Sequence, residues 1–155
     1  MPERSTTRKQ KTAEKPRLGR ISLIKAVLQG FRSRLDEELQ PLGITTAQLR
    51  MLWTIEEQPG VSGAEIARLC FVTPQTGQAT MTRMEANGWL ERRPSTASDR
   101  VLVAELTPSG RRLLQQARRL AEALDAELWR GVAARDLAAT DAVLRQAIER
   151  LAREP

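Results

Sequence analysis

Apolar residues recur along this chain at two periods, and the switch between them marks its organisation. Ile21, Ile24, Leu28, Phe31, Leu35 and Leu39 follow one another every three or four positions, as one stripe of a helix does. Pro41 and Gly43 end that stretch. A second helix starts near Thr45, where Thr45 and Gln48 have capping-box spacing. It places Leu49, Leu52 and Trp53 on one face and stops at Pro59-Gly60. Ser62 and Glu65 repeat the capping-box spacing and open a short helix, Gly63 to Leu69. After Cys70-Phe71-Val72, Thr73-Pro74 supplies a cap and a proline at the first helical position. That helix runs to about Ala86 and closes at Asn87-Gly88, a pair suited to a left-handed turn.

The period then changes. Trp89 to Arg93 and Arg100 to Leu106 predict two short strands, with Pro94 to Asp99 as the hairpin loop between them. Thr107-Pro108 repeats the helix-start signal, and Leu113, Ala117, Leu120, Leu124 and Leu128 form the next stripe. A last helix carries Leu137, Leu144, Ile148 and Leu151. Residues 1–17 stand apart, basic and almost without apolar side chains, which predicts a disordered arm. Two readings of that arm remain open: a solvated tail, and a strand of charge along phosphates. Residues 18–155 read as one domain.

Charge and composition narrow the function classes. The net charge of +6 predicts attraction to a polyanion or merely a soluble basic surface. The chain has no histidine and one cysteine, Cys70, so a histidine base, a Cys/His zinc cluster and an intramolecular disulfide are all excluded. There is no glycine-rich phosphate loop, and Asp36-Glu37-Glu38 lie within a charged helix. The chain therefore reads as a non-enzyme needing no cofactor or metal. No apolar run reaches membrane-span length and no secretory signal opens the chain, so a cytoplasmic protein is expected.

Helix, short helix, tight link, helix and hairpin make the layout of a helix-turn-helix with a wing. In such a unit the second helix offers its first turns to the major groove. Here those turns hold Thr73, Pro74, Gln75, Thr76, Gly77, Gln78, Ala79 and Thr80, none charged, whereas a solvated helix mixes in Glu and Lys. Glutamine can bond both adenine edge positions, and a threonine methyl can pack on that of thymine. Ser62 caps the preceding helix, whose N-terminus can receive a phosphate. Arg92, Arg93 and Arg100 stand on the hairpin, where an arginine can enter a minor groove. Met81 and Met84 occupy another face of the reader helix and should point inward.

Four stretches together resemble the MarR family of bacterial regulators over Ile44 to Leu114. They are Thr45-Thr46-Ala47-Gln48-Leu49, Ala64-Glu65-Ile66-Ala67, Thr73-Pro74-Gln75-Thr76 leading to Met84 through Arg92, and Leu106-Thr107-Pro108-Ser109-Gly110. The resemblance implies a mainly α fold with a small β-hairpin wing. Residues 44–107 would form the winged helix-turn-helix reader, and residues 18–43 and 108–155 interlocked dimerisation helices. It implies a homodimer on a palindromic site in double-stranded DNA, commonly repressing its own or neighbouring genes. Thr73, Gln75, Thr76 and Gln78 match the family's base-reading positions, Arg100 its wing arginine, and Arg92 the arginine that pairs with a wing aspartate. The family often writes Asp-any-Arg in the wing. Here Asp99 directly precedes Arg100, which weakens the case for an Arg92–Asp99 pair.

The family's effectors are often small aromatic acids, bound between the dimer helices and the reader. By position Trp53 would line that cleft and Arg20 would meet a carboxylate. Trp53 also shares the Leu49–Leu52 stripe, which fits simple core packing. Two alternatives accompany the ligand-released repressor: a constitutive or architectural DNA-binding protein, and a thiol redox sensor through Cys70. Between Leu69 and Phe71, Cys70 reads as a buried, inert thiol.

Overall fold

Each predicted helix start is a side chain closing on its own backbone. In the computed structural model, which describes residues 19–95 and 98–152, α1 spans Arg20–Leu39 and runs through a 3-10 turn, Gln40–Leu42, to Gly43 at φ 68°. The α2 helix, Thr46–Glu57, opens on a complete capping box between Thr45 and Gln48. For α3, Gly63–Leu69, only half of the expected box forms. Ser62 Oγ accepts the Glu65 N–H at 3.2 Å, but the Glu65 carboxylate turns to Arg68. Thr73 caps α4, Pro74–Ala86, and Thr107 caps α5, Pro108–Leu128. The last helix, α6, spans Ala134–Ala152.

The hairpin is longer than the periodicity indicated. Strand β1 covers Leu90–Ser95 and β2 covers Ser98–Leu106, antiparallel, with Leu90 opposite Leu106 and Pro94 opposite Leu102. The expected loop therefore shrinks, and Pro94 lies inside a strand. A two-stranded ribbon has only edge strands, where a missing N–H is tolerated. The register shifts after Pro94, so that Ser95 meets Ser98. A third segment joins the sheet: Val61 O accepts the Ala104 N–H at 3.2 Å and Ser62 bridges Val103. The wing is thereby fastened to the entry of α3.

The core joins α2, α3, α4 and the hairpin to α1 and α5. Leu39, Met51, Leu52, Ile66, Met81, Met84, Leu90 and Leu114 are fully buried. Burying a side chain of this size contributes about 1.5–3 kcal/mol. On α5 Leu114 and Ala117 are fully buried and Leu113, Leu120 and Leu124 pack partly buried against the same core, so the predicted stripe faces inward with Leu114 added beside it. Two glycines mark close approaches. A Cβ on Gly110 would stand 1.9 Å from the Trp89 carbonyl oxygen, and one on Gly77 would stand 2.8 Å from Ala67 Cβ. Gly77 thus lets α4 cross α3 at short range.

The first and last helices are left largely uncovered. Only the C-terminal part of the α1 stripe, Leu35 and Leu39, is buried, while Ile21, Ile24 and Leu28 are exposed. No residue of α6 is buried, and Val143, Leu144, Ile148 and Leu151 face outward. No helix among the described residues is long and apolar enough to cross a membrane.

Candidate nucleic-acid interface

The turn between α3 and α4 aims the second helix. Phe71 adopts φ 54°, a conformation that is uncommon for a bulky residue, and its side chain is 85% exposed. The Arg50 guanidinium lies 5.0 Å from its ring centroid and donates to the Leu69 carbonyl at 3.0 Å. On the inner face of α4, Gly77, Met81 and Met84 are buried against the core. Its outer face exposes Thr73, Pro74, Gln75, Thr76, Gln78 and Ala79.

Hydrogen bonds sort these polar groups. Thr73 Oγ1 accepts the Thr76 N–H at 3.2 Å and donates to Thr76 Oγ1 at 2.9 Å. Thr80 Oγ1 donates to the Thr76 carbonyl at 2.8 Å. Thr73 and Thr80 are thus occupied within the helix. The amides of Gln75 and Gln78 have no hydrogen-bond partner among the described residues, which leaves their donors and acceptors available. Arg83, also exposed, lies two helical turns beyond Thr76, seven residues on, a spacing visible in the sequence.

Ser62, Gln78 and Arg92 line one concavity of about 430 Å³ between the start of α3, α4 and the hairpin. Arg92 does not stand there as a free cation. Its Nε donates to Glu85 Oε2 at 2.9 Å, its backbone N–H to Glu85 Oε1 at 3.2 Å, and its side chain is only 16% exposed. The Arg92 guanidinium beside Glu85 holds that carboxyl below its ordinary range. The arginine expected on the DNA therefore ties the wing to the last turn of α4. Arg93 pairs with Glu105 across the hairpin but keeps most of its side chain in solvent. The Arg100 backbone belongs to β2; its side chain, that of Asp99, and the basic arm of residues 1–17 lie outside the described residues.

The Thr-Pro-Ser-Gly stretch has a local cause. Thr107 Oγ1 donates to the Gly88 carbonyl at 2.6 Å and accepts the Gly110 N–H at 3.0 Å. With the Thr107 N–H on the Trp89 carbonyl at 3.1 Å, it clamps the start of α5 to the end of α4.

A second cleft, of about 710 Å³, lies between α1, α2 and α5. Trp53 lines it as expected, together with Phe31, Leu35, Leu49 and Leu69. Arg20 does not. It precedes Phe31 by eleven residues, about 16 Å along a helix axis, and is exposed at the far end of α1. The lining cation is Arg50 instead. Cys70 is buried, its sulfur 3.6 Å from the Thr54 hydroxyl, and the chain has no second cysteine.

Comparison with known proteins agrees with this architecture. Residues 42–100 match the MarR family model. The chain is 36% identical over 98 residues to the HTH-type transcriptional repressor Rv2887 of Mycobacterium tuberculosis, covering 63% of this chain and 70% of that protein. It is 29% identical over 132 residues to the multiple antibiotic resistance protein MarR of Escherichia coli, covering 84% and 90% of the two chains. The crystal structure of a mutant of that Escherichia coli protein with operator DNA superposes with a TM-score of 0.73 at 28% identity, over 81% of this chain and 91% of that one. Rv2887 with salicylic acid superposes with a TM-score of 0.68 at 30% identity, over 87% and 98%. The match spans the reader and both flanking regions, and the chain belongs to the MarR family.

Proposed function

We propose that this protein is a sequence-specific, double-stranded DNA-binding transcription regulator that acts as a repressor. The observation that carries the reading is the outer face of α4. Gln75, Thr76 and Gln78 are exposed, uncharged and backed by buried Met81 and Met84, so amide and hydroxyl groups project from a rigid helix. Such groups read base edges in a major groove. Arg83, Arg93 and Arg100 would contact phosphates or the minor groove beside it, and Ser62 a phosphate at the start of α3. Arg92 acts one step back, holding the hairpin in place. That the related Escherichia coli protein is solved with operator DNA supports the DNA-binding reading.

The exposed apolar residues of α1 and α6 support a homodimer in which residues 18–43 and 108–155 embrace a second copy. A two-fold dimer places its readers on the half-sites of a palindrome, about one DNA turn apart. The cleft beside Trp53, and the salicylic acid complex of Rv2887, support release of DNA by a small effector. The test is a gel-shift titration with duplex DNA flanking the protein's own coding sequence. Retention of that fragment against a hundredfold excess of random duplex is expected. Equal competition by random duplex would leave only non-specific binding.

A further inference from the structure

The charges around the α1–α2–α5 cleft select for a particular ligand. Phe31 and Trp53 give it aromatic walls, and its size suits a small ring system. Three carboxylates, Glu57, Glu122 and Asp125, line it against one guanidinium, Arg50. None of the three is paired with a cation among the described residues. Glu57 accepts from the Trp53 indole and Asp125 from the Trp129 indole at 3.0 Å, neutral donors that leave both charges standing. Glu122 is exposed and has no hydrogen-bond or ion-pair partner among the described residues.

The cations nearby are engaged, although the buried Nε of Arg118 has no acceptor among the described residues. Arg118 stacks over Trp53, 4.6 Å from the ring centroid, and pairs with Glu56 at 2.7 Å, which neutralises it. Arg50 is turned to the Leu69 carbonyl and the Phe71 ring. An entering carboxylate would have to draw Arg50 off both and would meet three like charges. An entering ammonium would find carboxylates at the rim and indole and phenyl surface behind them.

We infer that the cleft takes a cationic aromatic amphiphile, an arylalkyl ammonium, in preference to an aromatic acid. Its consequence for gene control rests on the effector-released reading above; its binding chemistry does not. This chain would then differ in effector charge from the relative solved with salicylic acid.

Isothermal titration of the full chain with 2-naphthylmethylammonium, 2-naphthoate and salicylate tests it. The ammonium should bind at least tenfold more tightly than either acid, a difference of about 1.4 kcal/mol. Glu122→Gln, at an exposed position, should reduce that preference. Adding Asp125→Asn, which keeps an acceptor for Trp129, should abolish it. Equal or tighter binding of an acid, no binding of the ammonium, or an unchanged preference in the double variant overturns the inference. A parallel duplex titration separates the two readings. A chain that holds DNA but prefers the acids loses only the charge inference. One that prefers the ammonium but holds no duplex keeps the inference and loses the regulatory role.

Discussion

Arg92 is bound to Glu85 through both its side chain and its backbone, so the first strand of the wing is fixed to the last turn of the reader helix. On the same strand Arg93 keeps most of its side chain in solvent. A phosphate-contacting arginine contributes to counterion release; a clamp arginine contributes to geometry. Arg93→Ala and Arg100→Ala should each weaken binding to all duplexes alike and flatten the salt dependence by about one unit of slope. Arg92→Ala should weaken binding while leaving that slope near wild type. Fluorescence anisotropy over a salt series distinguishes them, and a slope change in Arg92→Ala would return that residue to the DNA surface.

The same pair predicts a pH dependence of stability. The folded-state pKa of Glu85 is lowered by its bond to Arg92, so its stabilising contribution is present above the ordinary carboxyl value of 4.5. It is lost as pH falls through the depressed folded value. Glu85→Gln should cost about 1 kcal/mol at neutral pH, given that the pair is partly exposed. The difference between variant and wild type in urea denaturation should shrink as the medium becomes strongly acidic. A gap that stayed constant through the acid range would show that the pair contributes nothing.

Gly77 makes a third case. It sits among the small residues that suggest groove contact, yet its position is set by α3: an added Cβ would come within 2.8 Å of the Cβ of Ala67, a buried residue of that helix. Gly77→Ala should destabilise the fold by about 1–3 kcal/mol, because neither helix can yield without disturbing the core. Ala67→Gly in the same chain should restore part of the loss. Thermal unfolding of the single and double variants checks both statements.

The unburied ends predict the assembly. Leu144→Glu with Ile148→Glu alters residues that touch no core, so helix content should change little. Sedimentation should nevertheless shift from dimer to monomer, with DNA affinity falling as the second half-site contact is lost. A wild-type chain that sediments as a monomer at all concentrations would remove the dimer from the account.

The comparison of sequence with structure follows the range of each interaction. Thr45, Ser62, Thr73 and Thr107 all cap the helices they were expected to cap, because a cap is a bond between residues three apart. Met81 and Met84 are buried as the helical period required. What periodicity could not supply came from other elements. Among the described residues the partner of Arg92 is Glu85, seven residues back and on a helix. Leu114 stands one position beside the predicted stripe and is nonetheless fully buried where α5 meets the rest of the core. Arg20 stands at the far end of α1, and the length of that helix keeps it out of the cleft. Arg50 and the carboxylates around the cleft come from two separate helices, so no local pattern joins them.

Sequence-specific repression requires that the exposed amides of α4 contact base edges. Selection from a random duplex library, carried out in parallel with wild type and Gln75→Ala, measures it directly. Wild type should enrich a palindrome whose half-sites lie about one DNA turn apart. The variant should lose preference at one position in each half-site, at a cost of about 1–3 kcal/mol there, while keeping the rest. Identical preferences in both proteins, or no enriched sequence in either, would contradict it.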